Sequence, residues 1–102
     1  MAKLKIGADI KNYGDVRNLI IELINHSNEF EQDFIIKLTS NYLKGSELKI
    51  SKKEIYLIVD EILDLMQRKN VIVFNNGIYS ITSISYTLKD YYNQKLENSL
   101  VL

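Results

Sequence analysis

A helix start signal in the middle of the chain restricts the fold more than any other sequence feature. Ser51 is followed three residues later by Glu54, the capping-box pattern that marks the beginning of a helix. The apolar residues behind it keep the spacing of a helix with one buried face: Ile55, Ile58, Val59, Ile62, Leu63 and Met66. We predict an amphipathic helix that runs to about Lys69 and ends at Asn70.

A hairpin signal follows this helix directly. Residues 71–74 and 78–81 are two runs of β-branched and aromatic side chains. They are separated by Asn75, Asn76 and Gly77, and an Asn-Gly pair supplies the positive φ angles of a type I′ turn. The sequence therefore predicts a long helix followed by a two-stranded hairpin.

Two further helices are predicted in the first half of the chain. Asp15 is the expected N-cap of the first, and Asn28 with Glu31 resembles a capping box for the second. Gly45 stands where a left-handed cap would end the second helix. Apolar residues with helical spacing mark both helices: Val16, Leu19, Ile20, Leu23 and Ile24, then Phe30, Phe34, Ile35, Leu38 and Tyr42.

The remaining segments are a short link and a tail. Residues 48–50 alternate apolar and polar side chains, which favours a small strand or an extended connection. Residues 84–100 are predicted to form a fourth helix that either completes the core or packs against a symmetry mate, and the apolar ending at 100–102 favours an interface. The residues expected at such a dimer contact are Leu88, Tyr91, Tyr92, Leu96 and Leu100.

Composition limits the class of protein. A chain of 102 residues can bury one modest core, so we expect a single domain over 1–102 that is α+β and mostly helical. The absence of Cys excludes disulfides and Cys-based zinc sites, and no apolar stretch has signal or membrane-span length, so we expect a cytoplasmic protein. There is no nucleophile–base pair, metal-ligand cluster or glycine-rich phosphate loop, so we expect no enzyme, metal or cofactor.

The order helix, helix, short strand, capped helix and hairpin resembles the winged helix-turn-helix family over about 15–82, with 84–100 as an extra C-terminal helix. The most specific stretch is 65–82, LMQRKNVIVFNNGIYSIT, which is similar to the family's helix end, wing strand, turn and return strand. The resemblance implies double-stranded DNA as the ligand. Size, charge layout and the extra helix resemble the TcpK-like accessory proteins of plasmid conjugation, which implies binding at an origin of transfer beside a relaxase.

Charge is distributed unevenly along the chain, although thirteen basic residues balance thirteen acidic ones. Residues 54–66 carry four acids and no base, so the outer face of the third helix opposes phosphate. The basic segments are 1–20, 44–53 and 67–81. We therefore predict that the N-terminal segment and the wing hold the duplex, and that at most the first turn of the third helix approaches it.

Each predicted DNA contact offers a basic side chain, a free backbone amide at a helix start or a side-chain amide at the wing tip. The residues are Lys3, Lys5, Lys11, Arg17, Ser51, Lys52, Lys53, Arg68, Lys69, Asn75 and Asn76. A homodimer is expected because one small module covers few base pairs. Two alternatives stay open. In the first, the chain is a transcriptional regulator that reads DNA with the third helix through Tyr56. In the second, it is a winged-helix module that binds proteins and no nucleic acid, and the neutral net charge favours this alternative.

Overall fold

The structure, a computed structural model, describes residues 10–82 and 84–100. This part of the chain contains four helices and three short strands. In chain order they are α1 (Tyr13–Asn25), β1 (Glu29–Phe30), α2 (Gln32–Tyr42), α3 (Lys52–Arg68), β2 (Ile72–Asn75), β3 (Ile78–Ile81) and α4 (Leu88–Leu100). The predicted α+β class with mostly helical content is confirmed.

The capped helix and the hairpin are confirmed, with the first strand of the hairpin one residue later than predicted, at Ile72–Asn75. The Glu54 amide donates to Ser51 Oγ at 3.1 Å, and the Ser51 amide donates to Glu54 Oε1 at 3.2 Å, which completes the capping box at the start of α3. Asn70 ends the helix with a φ of 60°, and the turn residues Asn76 and Gly77 have φ angles of 53° and 83°. These positive angles are those that the asparagines and the glycine accept at least cost.

The three strands form one antiparallel sheet in the order β1-β3-β2. Its register places Phe30 and Phe74 on either side of Tyr79. The three rings form a row across the sheet, with centroid distances of 5.4 Å for Phe30–Tyr79 and 4.6 Å for Phe74–Tyr79. Cross-strand aromatic pairs of this kind stabilise a sheet beyond their buried area.

Three predicted element starts are wrong. Asn12, not Asp15, is the N-cap of α1, because its Oδ1 accepts the Asp15 amide at 2.9 Å. The chain at Asn28 does not begin a helix, because Glu29–Phe30 pairs with β3, and α2 begins only after Glu31. The tail helix begins at Leu88 rather than at 84.

Residues 48–50 form no strand, so of the two alternatives for this segment the structure has the connection. This segment is irregular in the structure, and β1 takes the place beside β3 that a third strand would need. Leu48 and Ile50 are partly buried against the core, while Lys49 is exposed. The alternation of apolar and polar residues here comes from a loop that packs on the core. A strand and a packed loop produce this pattern equally well.

The apolar stripe of α3 is the centre of the core. Val59, Ile62 and Met66 are fully buried, and α1, α2, β2 and α4 all contact this helix. Burial of each such side chain stabilises the fold by about 1.5–3 kcal/mol. The predicted inward face is confirmed, except that Ile58 is only partly buried and Leu65 joins it.

Helix α4 completes this core, which is the first of the two alternatives that the sequence left open for the tail. Tyr91 is 2% exposed and Gln94 is 5% exposed, and Gln94 Nε2 donates to the Leu65 carbonyl at 2.9 Å. The buried Tyr86 hydroxyl donates to Gln94 Oε1 at 2.6 Å. The prediction of Tyr91 as a dimer contact is thus wrong, and Leu88 is partly buried against the core.

A charged cluster joins α1, α3 and α4 around Tyr91. Its hydroxyl donates to Glu61, Lys95 Nζ lies 2.7 Å from Glu61 Oε2, and the Arg17 guanidinium lies 5.8 Å from the centre of the Tyr91 ring. Burial and the Glu61 hydrogen bond raise the pKa of Tyr91 to about 12. Partial burial alone would raise the pKa of Glu61, but hydrogen bonds from Lys95 and Tyr91 outweigh it and lower that pKa.

We expect Tyr91 to make the protein sensitive to alkali. Its pKa is raised above the ordinary value of 10.0, so its contribution to stability is complete below pH 10 and is lost as the pH rises towards about 12. In urea denaturation at several pH values, the difference in free energy of unfolding between wild type and Tyr91→Phe should therefore shrink across this range. Tyr92→Phe, which changes an exposed neighbour, is the control. A constant difference for Tyr91→Phe would contradict the assignment.

Candidate nucleic-acid interface

An open groove of about 650 Å³ lies between the end of α2 and the start of α3. Lys44, Lys49 and Lys52 line it, and Lys53 is exposed at the next helical position. Among the described lining residues the one acid is Glu54. We call this surface, with its four lysines, the basic groove.

The N-terminal segment enters the fold beside the basic groove. Ser46 is buried in the loop that forms the groove, and its Oγ donates to the Ile10 carbonyl at 3.1 Å. The same Oγ accepts the Leu48 amide at 3.1 Å, so one hydroxyl holds both the loop and the incoming chain. Lys11 follows Ile10 and is exposed. The structure therefore brings Lys11 towards the segment 44–53, two basic regions that are far apart in sequence.

A hydrogen bond ties the start of α3 to the start of α1. The Tyr13 hydroxyl donates to Glu54 Oε2 at 2.8 Å, while Glu54 Oε1 is held by Ser51. The hydrogen bond from Tyr13, followed by those from the Ser51 backbone and side chain, lowers the pKa of Glu54. An ionised carboxylate thus lies at the helix start, where a phosphate would otherwise be favoured. Ser51 is engaged in the cap, and the lysine side chains are the better phosphate ligands here.

Two of the other predicted basic residues lie elsewhere and have acidic partners. Arg68 Nε is 3.0 Å from Asp64 Oδ2, and Lys69 Nζ is 3.9 Å from Glu97 Oε2. Both are at the far end of α3, about 25 Å from its start for a helix of 17 residues. They do not extend the basic groove.

Arg17 is half-buried against α4. Its guanidinium faces the Tyr91 ring, and its Nε is buried without a hydrogen-bond partner among the described residues. This packing removes it from the surface on which we expected it. Lys3 and Lys5 lie outside the described residues, as do the side chain of Leu100 and its expected dimer contact.

The tip of the hairpin, which the sequence predicts to be a wing, has acidic neighbours. Asn75 and Asn76 are exposed as predicted, but Gly77 lines a groove of about 240 Å³ together with Glu31 and Asp33. These carboxylates oppose phosphate at short range. Residues 71–81 of the hairpin carry no charge of their own, so these neighbours make its tip unfavourable for phosphate.

The outer face of α3 is acidic, as the sequence predicts. Asp60 and Asp64 are exposed, and Asp60 Oδ1 accepts a hydrogen bond from Gln32 Nε2 at 3.3 Å. Tyr56 is 46% exposed on this helix, and Leu57 beside it is exposed as well. This face presents carboxylates and apolar groups rather than cations.

Sequence reasoning did not select Lys44 and Lys49 individually. The signal was the surplus of lysines over 44–53, which describes the segment as a whole. Only the groove shows that these two side chains lie with Lys52 on one surface.

Comparison of the chain with protein-family models, with curated proteins and with solved structures found no match. Within residues 10–82 and 84–100, no helix has the length and apolar character that crossing a bilayer requires. The same residues contain no group of three or more His, Cys, Asp or Glu side chains placed to hold a metal ion. The chemistry of the site therefore follows from its own geometry.

We expect Tyr13→Phe to raise the pKa of Glu54, because the hydrogen bond from the Tyr13 hydroxyl is the largest cause of its lowering. The measurement is an NMR titration of the Glu54 side-chain carboxyl carbon. Tyr56→Phe, which changes an exposed tyrosine two positions after Glu54 on α3, is the control and should leave the Glu54 titration unchanged. An unaltered Glu54 curve in Tyr13→Phe would show that the two helix starts are not coupled in this way.

Proposed function

We propose that this chain is a winged helix-turn-helix domain that binds double-stranded DNA through the basic groove. The element order α1-β1-α2-α3-β2-β3 with the sheet order β1-β3-β2 supports the class, because a two-stranded wing follows the third helix and the short first strand closes the sheet. The observation that carries the DNA assignment is the set of lysines around one groove at the start of α3.

These lysines are suited to phosphate because they are not already neutralised. Lys44, Lys49, Lys52 and Lys53 form no ion pair within the part of the chain that the structure describes, in contrast to Arg68 and Lys69. Binding to duplex then releases the counterions condensed on DNA and becomes salt-dependent. A neutral chain can bind nucleic acid in this manner only through such a local patch.

The contact mode differs from our expectation from sequence. The basic groove and Lys11 take the place of the wing as the main phosphate contact, because the wing tip lies beside Glu31 and Asp33. Asn76 remains available for a secondary contact at the exposed turn. The exposed carboxylates of Asp60 and Asp64 oppose readout by the middle of α3, which the regulator alternative requires.

The biological role that we propose is that of an accessory protein at a plasmid origin of transfer, with a relaxase as a partner in the cytoplasm. This role rests on the resemblance to TcpK-like proteins. DNase footprinting on a plasmid that carries an origin of transfer tests it directly. Protection confined to a promoter, with none at the origin, would favour a transcriptional regulator.

Helix α4 offers a surface for the homodimer that DNA specificity favours. Tyr92 and Leu96 are one turn apart on its outer side, and Leu96 is 61% exposed. We expect light scattering to show a dimer and Leu96→Glu to shift it to monomer with an unchanged thermal transition, because this side chain does not serve the core. Lys89→Gln on the same helix is the control. A monomeric wild type would exclude this interface.

The DNA assignment predicts a specific salt effect. We expect the triple variant Lys44→Gln, Lys49→Gln, Lys52→Gln to bind duplex about tenfold more weakly at low salt. The slope of log affinity against log salt should fall by about 0.9 for each phosphate that the variant no longer neutralises. Fluorescence anisotropy with a labelled duplex measures both quantities. Lys89→Gln, an exposed lysine far along the chain, is the control.

Two results would contradict the proposal. If the triple variant bound as wild type while Tyr56→Ala abolished binding, the outer face of α3 would be the reader. If the wild type bound no duplex even at low salt, the protein-interaction alternative would take precedence.

A further inference from the structure

A second surface of opposite character lies at the other end of α2. Two neighbouring grooves, of about 580 and 240 Å³, open between the start of α2 and the hairpin. Both are lined by Glu31 and Asp33. We call this surface the acidic–aromatic face. Its apolar members are Phe30, Phe34, Phe74, Ile78 and Tyr79, and its remaining polar members are Glu29, Gln32 and Lys37.

Two of the four aromatic side chains of this face are exposed, whereas Phe30 and Tyr79 are buried. Phe34 is 50% exposed and Phe74 is 51% exposed, although the helical spacing predicted Phe34 among the inward positions. The core takes Ile35 and Ile36 from this part of α2 instead. Exposed aromatic rings beside a groove are typical of surfaces that bind another protein.

The carboxylates of the face are free to take a cation. Glu29, Glu31 and Asp33 are exposed and form no ion pair within the described part of the chain, and one lysine, Lys37, lies among them. The side chain of Glu31 makes no capping hydrogen bond although its backbone is the N-cap of α2. A surplus of negative charge therefore surrounds an apolar floor.

The charge and shape of this face select its ligand. Nucleic acid is disfavoured because its phosphates would meet carboxylates. A second copy of this chain would have to dock its basic groove, and the apolar residues that line this groove, Leu43, Leu48, Ile50 and Ile55, are buried or partly buried. The lining of the groove thus presents cations without an exposed apolar anchor of its own. The complement is a segment that carries both.

We propose that the acidic–aromatic face binds a basic peptide segment of a partner protein. A large apolar side chain of the segment enters the groove beside Phe34, and its Lys or Arg side chains pair with Glu31 and Asp33. Anchors of this type dominate the binding energy of small interfaces, whereas surrounding charges set specificity and the rate of association. The two proposed surfaces lie beyond opposite ends of α2, about 16 Å apart for its 11 residues, so this proposal does not depend on DNA binding.

The test uses the full chain and a short fluorescein-labelled peptide with one central tryptophan among lysines and arginines. We expect anisotropy to show binding that weakens with added salt. Glu31→Gln with Asp33→Asn should weaken it about three- to tenfold, the effect of two exposed ion pairs. Phe34→Ala should weaken it by at least about fivefold, because the apolar wall of the groove is removed. Each variant keeps an exposed position, so thermal unfolding should change little.

Matched controls separate charge from anchor. Glu47→Gln, an exposed carboxylate in the loop of the basic groove, should bind the peptide as wild type does. A peptide with alanine in place of tryptophan should bind more weakly, and one with glutamates in place of the basic residues should not bind. Amide chemical shifts in the wild type should move over 29–37 and 74–79 and not over 44–53.

Three outcomes would overturn the proposal. These are no binding up to about 1 mM peptide, wild-type binding by the Phe34 and carboxylate variants, or shift changes confined to other regions. A concentration-dependent dimer that Phe34→Ala abolishes, without peptide binding, would assign the face to a second copy. Loss of duplex binding in the lysine triple variant with peptide binding intact would show that the two surfaces act separately.

Discussion

The fold depends on the burial of one apolar stripe on α3. Val59, Ile62 and Met66 are closed to solvent, and this helix contacts every other helix and the first strand of the hairpin. The contributions of these side chains together are a large part of the net stability of a domain this small. Because the stripe faces inward, the remaining side chains of α3 must face solvent or a neighbour, and their charges then determine what the surface can bind.

The surface charges are distributed unevenly along α2 and α3. Lysines gather where α2 ends and α3 begins, whereas carboxylates gather at the start of α2 and along the outer side of α3. A chain with no net charge thus presents one face suited to phosphate and another suited to a basic segment. Under the two proposals above, the chain would link a nucleic acid to a protein partner, which an accessory role at a DNA processing site requires.

The tail shows why some residues could not be assigned from sequence. Tyr91, Tyr92 and Leu96 have spacing that fits a dimer stripe or a core stripe equally well, because periodicity defines a face but not what covers it. The structure buries Tyr91 between α1 and α3 and leaves Leu96 outside. Arg17 then becomes part of this junction, and it is withdrawn from phosphate for a reason that no local pattern contains.

By itself, the sequence determined the elements whose signals are local: the capping box of α3, its buried stripe, the left-handed stop at Asn70 and the Asn76-Gly77 turn. Each depends on residues within a few positions of one another, so the chain needs no distant partner to specify them. Only the tertiary structure decided that Glu29–Phe30 is a strand, that α4 completes the core and that Lys44, Lys49 and Lys52 share a groove. These features depend on contacts between distant segments, whose free energy outweighs weak local preferences.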